Sequence, residues 1–323
     1  EVIDHRNASS ALPAIDKASA VIFYRVAASP VILHAILYAR ALGILTIYDI
    51  DDLIFDARFY PEPLATYEGQ VTKAEYWGLQ SGVPLFRYAA TACDVGLSST
   101  AALAAHLGPL VRSKQCHVLR NGFDTRNSRF LAYPRQPFSK TTVTIFYGSG
   151  TKAHSQDFRE LLAPALLQLF AQTSHVRLAV AGYVPLDRRF DPYRERIIRL
   201  GFCANVEAYW EVLSGADINI AVLSRNPATD AKSEIKWLEA AMFGIPSIVS
   251  PTATYRDLLV DGRDAIFAAT PEDWARALAQ LASDAALRER IGAQARAKAM
   301  RESGLSAATA VLKSIIPARD PSL

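Results

Sequence analysis

Cysteine is scarce in this chain of 323 residues: Cys93, Cys116 and Cys203 are the only three, and they stand far apart. No CxxC pair or Cys/His metal spacing joins them. A disulfide framework and a zinc module are therefore excluded as organising devices, and reduced thiols of a cytoplasmic protein are expected. Surplus charge is also lacking. Lys and Arg number 35 against 32 Asp and Glu, a net +3. That balance tolerates an anionic ligand or a membrane surface, but it has no concentrated basic stripe of the kind that binds nucleic acid. Long apolar runs are missing as well. The most lipid-like one, SPVILHAILYARALGILTIY, is broken by Pro30, His34 and Arg40 and parses as a helix followed by a strand. No secretory leader is read in the first residues, and since the first is Glu1 a trimmed start is expected. Repeats and low-complexity tracts are absent. What remains is 50% hydrophobic and 21% charged, the balance of a folded chain long enough for roughly two domains.

The apolar runs have a regular order. AVIFYRV (Ala20–Val26) is β-branched and continuous, as a buried strand requires. Ser29 then offers a helix cap, Pro30 suits the first turn, and Gly43 suits the exit. ILTIYDI follows as a second strand, so strand, helix and strand form a βαβ unit with parallel strands. A helical stretch around Gly82–Cys93, the strand DVGLSS, the capped helix SSTAALAAHLG and the strand CHVLRNGFD complete a first domain over residues 1–124. Residues 125–142 are polar and proline-punctuated, which marks a linker. Alternation resumes over residues 143–304: TVTIFYGSG, a long helix, VRLAVAGYV, ADINIAVL, SEIKWLEAAMFG, PSIVS and DAIFA, then two amphipathic helices. Residues 305–323 form a last helix expected to cross back onto the first domain. Two α/β domains with parallel sheets facing an interdomain cleft are the predicted architecture.

Three stretches carry candidate chemistry. In DAKSEIKWLEAAMFGIPSIVS, Ser233 or Asp230 can cap a helix whose free N–H groups suit phosphate, and Lys232, Lys236 and Glu239 share one helical face. In FYGSGTKAHSQDF, Gly148 and Gly150 around Ser149 let the backbone approach a ligand, with Thr151, Lys152 and His154 entering the next helix. This is neither a GxGxxG fingerprint nor a P-loop, and a plain strand-to-helix turn also accounts for it. The third stretch is TIYDIDDLIFD, which sets Asp49, Asp51, Asp52 and Asp56 among apolar residues at the carboxyl end of a parallel strand. Those carboxylates must be solvated, paired or used. DxDD can bind Mg²⁺ or serve an aspartyl nucleophile, it can face the cleft as acceptor ligand or base, or it can simply pair with Arg25, Arg58 or Arg87.

NGFD, GSGTKAHSQDF, ADINIAVL, AKSEIKWLEAAMFGIPSIVS and DGRDAIFAATPEDWARALAQL together resemble bacterial group 1 glycosyltransferases (glycosyltransferase family 4) of GT-B fold. YDIDDLIFD is similar to a first-domain segment of members that assemble surface polysaccharides. The resemblance implies two Rossmann-like domains, the second binding a nucleotide-sugar donor and the first an acceptor glycan or lipid-linked sugar. It implies a retaining transfer that needs no metal or cofactor, and a cytoplasmic protein touching the inner face of the membrane. The family's helix bears two glutamates separated by seven residues. Glu239 matches the second, which holds the ribose hydroxyls, while Ala231 stands where the first belongs. Ser149 and His154 stand near an expected Arg/Lys pair, so Lys152 and Lys232 become the candidates for charge against the diphosphate, with Ser233 and Lys236 beside them. Catalytic roles are expected of Lys232, Asp51 and Asp52, and acceptor or donor-sugar contacts of Arg25 and Asn226. Two other readings stay open: a GT-B-like binding or scaffold protein that no longer catalyses, and a Mg²⁺-dependent phosphohydrolase built on DIDD.

Overall fold

The computed structural model describes residues 1–67, 69–124, 135, 137–139, 141–150, 155–184, 186–203 and 205–316. They form two lobes, each built on one parallel sheet. In the first lobe β1 (Ala20–Tyr24), β2 (Leu45–Ile50), β3 (Val95–Ser98) and β4 (Cys116–Val118) lie side by side in chain order. The short helix α1 (Leu12–Ile15) precedes them, and α2 (Pro30–Ala41), α3 (Lys73–Ala92) and α4 (Ala101–Leu107) make the crossovers. Local chemistry sets these bounds. Ser29 Oγ accepts the Ile32 N–H at 3.3 Å, Pro30 sits where no N–H is missed, and Gly43 turns the chain out at φ +71°. Thr72 and Glu75 close a reciprocal capping box, which starts α3 well before the stretch that the sequence suggests.

The second lobe contains β5 (Val143–Ser149), β6 (Val176–Gly182), β7 (Ile197–Leu200), β8 (Ile218–Ala221), β9 (Ser247–Val249) and β10 (Ile266–Phe267), in the spatial order β10-β9-β8-β5-β6-β7. β7 is a strand the sequence reading passed over; its IIRL follows a charged 3₁₀ segment, Arg188–Arg196, and is only half buried. From β5 the chain moves outward to β6 and β7, then returns to the other flank of β5 as β8. The carboxyl end of β5 is thus a topological switch point, where diverging connections leave a crevice. Alternation along β5 feeds two cores. Ile145 and Tyr147 pack with Phe158, Leu166 and Trp274, while Phe146 packs with Trp210 and Trp237. Trp237 and Trp274 are core residues, at 1% and 0% exposure.

The helices of this lobe are α5 (Ala163–Gln172), led in by a π-helical turn at Phe158–Leu162, then α6 (Val206–Ser214), α7 (Pro227–Asp230), α8 (Ile235–Met242), α9 (Ala253–Leu258), α10 (Pro271–Ser283) and α11 (Ala285–Glu302). The last helix, α12 (Leu305–Ile315), leaves it. None of the helices among the described residues is long and apolar enough to cross a membrane.

The lobes exchange chain segments. The Phe123 N–H donates to the Ser303 carbonyl at 2.7 Å, and its ring joins a second-lobe core. A Cβ on Gly122 would meet that same carbonyl at 2.7 Å, which explains the glycine of NGFD. In the other direction α12 sets Leu312 and Ile315 against Ile47, Val95 and Leu97 of the first sheet. Residues 125–134, most of the linker read from the sequence, lie outside the described residues.

Candidate functional site

The carboxyl ends of the two sheets meet across the cleft. On the first-lobe rim, Arg25 follows β1 with φ +47°, a left-handed conformation that a side chain rarely adopts. Its N–H donates to the Asp49 carbonyl at 2.8 Å, which keeps this kink registered on β2. The guanidinium then reaches both carboxylates of the DIDD turn, Asp51 at 2.7 Å and Asp52 at 3.1 Å. Tyr24 adds its hydroxyl, donating to Asp51 Oδ2 at 3.3 Å. Asp56 is separate: it is buried and bound to Arg58 at 2.5 Å, and that guanidinium holds its carboxyl below the ordinary carboxylate range. Asp49 lies on the sheet face opposite Tyr48 and Ile50. Burial, reinforced by Asp51, pushes its carboxyl up to about 7. Among the described residues, no three His, Cys, Asp or Glu side chains are grouped so as to hold a metal ion.

On the second-lobe rim, α8 begins at Ile235 after Glu234, with no side-chain cap. This corrects the expectation that Ser233 or Asp230 caps the helix. Asp230 Oδ1 accepts the Ala253 N–H at 2.7 Å instead, and so ties α7 to α9. It also corrects the picture of three residues on one helical face. Lys236 and Glu239 lie within α8, but Lys232 precedes its first turn and reaches out of the lobe. Its Nζ stands 3.4 Å from Asp52 Oδ1, and a cross-cleft ion pair links the two rims. Ala231 explains why the chain turns here. Its carbonyl accepts the Thr100 hydroxyl of the first lobe at 2.9 Å, and its methyl, 1% exposed, belongs to a first-lobe apolar cluster.

Lys236 and Glu239 are half buried. The Lys236 ammonium lies 5.3 Å from the centre of the Tyr147 ring. Burial, together with the neighbouring charge of Lys232, pulls it down to about 8. Burial pushes the Glu239 carboxyl up to about 7, opposed by a hydrogen bond from Trp210 and by the Lys236 charge. That bond, from Trp210 Nε1 to Glu239 Oε1, is 2.9 Å long. Beside them Gly148 is the penultimate residue of β5. The sequence suggests that this glycine admits a ligand, but its open side is filled by Tyr209, whose atoms would lie 2.8 Å from a Cβ there. Ser149 is buried, whereas a Cβ on Gly150 would meet open space. Thr151, Lys152 and His154 lie outside the described residues. Asn226 caps α7 by accepting the Thr229 N–H at 2.9 Å, the work of a turn asparagine.

Two groups near the cleft escaped the sequence reading. Arg120, just after β4, reaches Asp257 at 2.5 Å and lies 3.7 Å from Glu234, which is 1% exposed. Tyr147 lies under Lys236. Neither has a sequence signal beyond its neighbourhood. The basic helix α11 is partly satisfied within itself: Lys298 and Arg301 pair with Glu302, and Arg288 donates to the carbonyls of Leu281 and Ala282.

Solved structures share this arrangement. HepE of Anabaena, determined in complex with UDP, superposes with TM-score 0.61 at 12% identity, over 95% of this chain and 81% of that one. The same protein has been determined with UDP-glucose. Sucrose-phosphate synthase of Thermosynechococcus elongatus gives 0.58 at 13%, over 97% and 79%. The fold is GT-B. TarM of Staphylococcus aureus, in complex with fondaparinux, α-GlcNAc-glycerol and UDP, gives 0.64 at 10% identity over 97% of this chain, which spans 59% of TarM. Residues 159–308, the greater part of the second GT-B lobe, match a family model described as glycosyl transferase-like. No curated protein matches the chain.

Proposed function

We propose that the protein is a glycosyltransferase that moves a hexose or deoxyhexose from a nucleoside-diphosphate donor, bound by the second GT-B lobe, to a glycan or lipid-linked acceptor bound by the first. The observation that carries this reading is the ion pair of Lys232 with Asp52 at the ends of two parallel sheets, with Asp51 beside Asp52 on Arg25 and with Lys236 and Glu239 on the helix that follows Lys232. Parting of the sugar from its diphosphate builds negative charge on the leaving phosphate. Fixed ammonium groups in a half-buried site stabilise that charge more in the transition state than in the ground state, so a divalent ion is not required. Glu239 accepts the ribose hydroxyls. Asp51 or Asp52 accepts from the acceptor hydroxyl and orients it against the anomeric carbon. Retention of anomeric configuration and a place in cell-surface polysaccharide assembly, at the inner face of the membrane, belong to the same reading. Support comes from the UDP and UDP-glucose bound to HepE.

One observation favours a second reading, a GT-B-like protein that binds nucleotide or glycan without transfer. Where the resemblance calls for a donor-contacting glutamate, Ala231 is buried against the first lobe and carries no polar group. A panel of UDP-, GDP- and dTDP-sugars tests both. Thermal shift identifies the donor, and product analysis with glycan and lipid-linked acceptors follows. A glycosyl product is expected; tight binding with no product across the panel selects the second reading, and no binding at all overturns both.

A further inference from the structure

Helix α6 packs against two residues of the second-lobe rim, Gly148 and Glu239. Asn205 starts it, accepting the Ala208 N–H at 2.8 Å, and two successive residues then point inward. Tyr209 packs edge-on against Phe146 with ring centres 5.5 Å apart and occupies the space beside Gly148. Trp210, only 5% exposed, lies in the core with Trp237 and Leu238, and its single polar atom is directed at Glu239. A free glutamate side chain samples several rotamers, and ordering it at the moment of binding weakens affinity. Here Lys236, one turn earlier on α8, Tyr209 on α6 and Tyr255 on α9 also face the carboxylate, but Trp210 makes its hydrogen bond.

We infer that Trp210 is a positioning residue for the donor site: its indole N–H pins Oε1 of Glu239, so that Oε2 is held ready for the ribose hydroxyls of a nucleoside diphosphate. The inference rests on the donor-binding reading of Glu239 and adds a named reason for ribose recognition. It differs from a packing role in one respect. A packing tryptophan supports every ligand of the lobe equally, whereas a positioning one matters only to a ligand that has the hydroxyls.

The test is isothermal titration of wild type, E239A and W210F with whichever of UDP, GDP and ADP binds, and with its 2′,3′-dideoxy counterpart. In W210F the preference for the ribonucleotide is expected to fall about fivefold, the effect of one ordinary hydrogen bond, with affinity for the dideoxy form nearly unchanged. In E239A the preference is expected to vanish. Equal weakening of both forms in W210F, or an unchanged preference, overturns the inference. A second measurement does not depend on the folding of W210F. Among the four tryptophan indole N–H resonances of the wild-type protein, one is expected to move upfield in E239A, and the same one is expected to move on addition of the nucleotide. If no indole resonance responds to E239A, the inference falls. If none of the three diphosphates binds, the donor-site reading falls with it. If E239A removes a ribose preference that W210F keeps, only the role of Trp210 falls.

Discussion

Asp51 and Asp52 on the first rim, with side chains 36% and 32% exposed, are neutralised at the surface by Arg25, which is 39% exposed. Lys236 and Glu239 on the opposite rim are set more deeply, on an aromatic ring and an indole N–H, and both are drawn toward neutrality. The two rims therefore respond differently to change. Exposed pairs in high dielectric contribute little and tolerate substitution, whereas groups withdrawn from water interact strongly and are sensitive to it. Lys232 with Asp52 joins the two rims, and Arg120 joins the lobes nearby through Asp257 and Glu234.

The largest effect is expected at the deep rim. Replacing Glu239 with alanine removes charge-assisted bonds to the nucleotide and should weaken binding by about 2 kcal/mol, roughly thirtyfold, with circular dichroism unchanged. Unaltered affinity removes Glu239 from the ribose role. Next, Lys232→Ala should lower turnover about tenfold more than Lys236→Ala, since Lys232 extends into the cleft while Lys236 lies against Tyr147. The reverse order in steady-state kinetics reassigns the phosphate contact.

The half-buried pair of Lys236 and Glu239 should also shape the pH response. Nucleotide binding needs Glu239 ionised and Lys236 protonated, so affinity should rise through about pH 7, fall through about pH 8 and peak between them. Titrations at several pH values check this, and a flat profile separates the pair from the ligand. Stability should run the other way at the lower limb. Glu239 and Asp49 both have raised folded values, so the folded state binds more protons than the unfolded one between the ordinary carboxylate range and pH 7. Their stabilisation is full below that range and lost as pH rises through 7. The urea midpoint should be lower at pH 8 than at pH 5.5, and Glu239→Gln should remove roughly 1–2 kcal/mol of the difference.

At the exposed rim, Asp52→Asn should raise the acceptor KM about threefold while leaving donor affinity intact, because the substitution frees Lys232 rather than removing it. A loss of donor affinity joins Asp52 to the donor site and erases the contrast between the rims.

Much of the frame was legible because it is written in short-range patterns. Ser29, Pro30 and Gly43 bound α2 by local hydrogen bonding and backbone conformation, and Thr270 with Asp273 does the same for α10. The β-branched runs of β1, β2 and β5 needed no partner to be recognised. The start of α8 was not legible. Two plausible caps, Asp230 and Ser233, stood close together, and Asp230 was claimed by α9 through a bond that sequence spacing does not reveal. Gly148 misled for a related reason: a glycine at a strand end serves a ligand or a neighbouring side chain equally well, and here Tyr209 fills the space.

Local periodicity, caps and turn residues in the sequence determined two α/β lobes with their strand ends directed at one cleft, since these depend on neighbours a few residues away. Which charges meet in that cleft was decided by tertiary packing. Asp52 and Lys232 are 180 residues apart, and Thr100 and Ala231 are 131 apart. Neither contact has a periodic signature, because each forms only when the lobes close on one another through Phe123 and α12. The same holds for Trp210. Only the approach of α6 to α8 brings its N–H to Glu239.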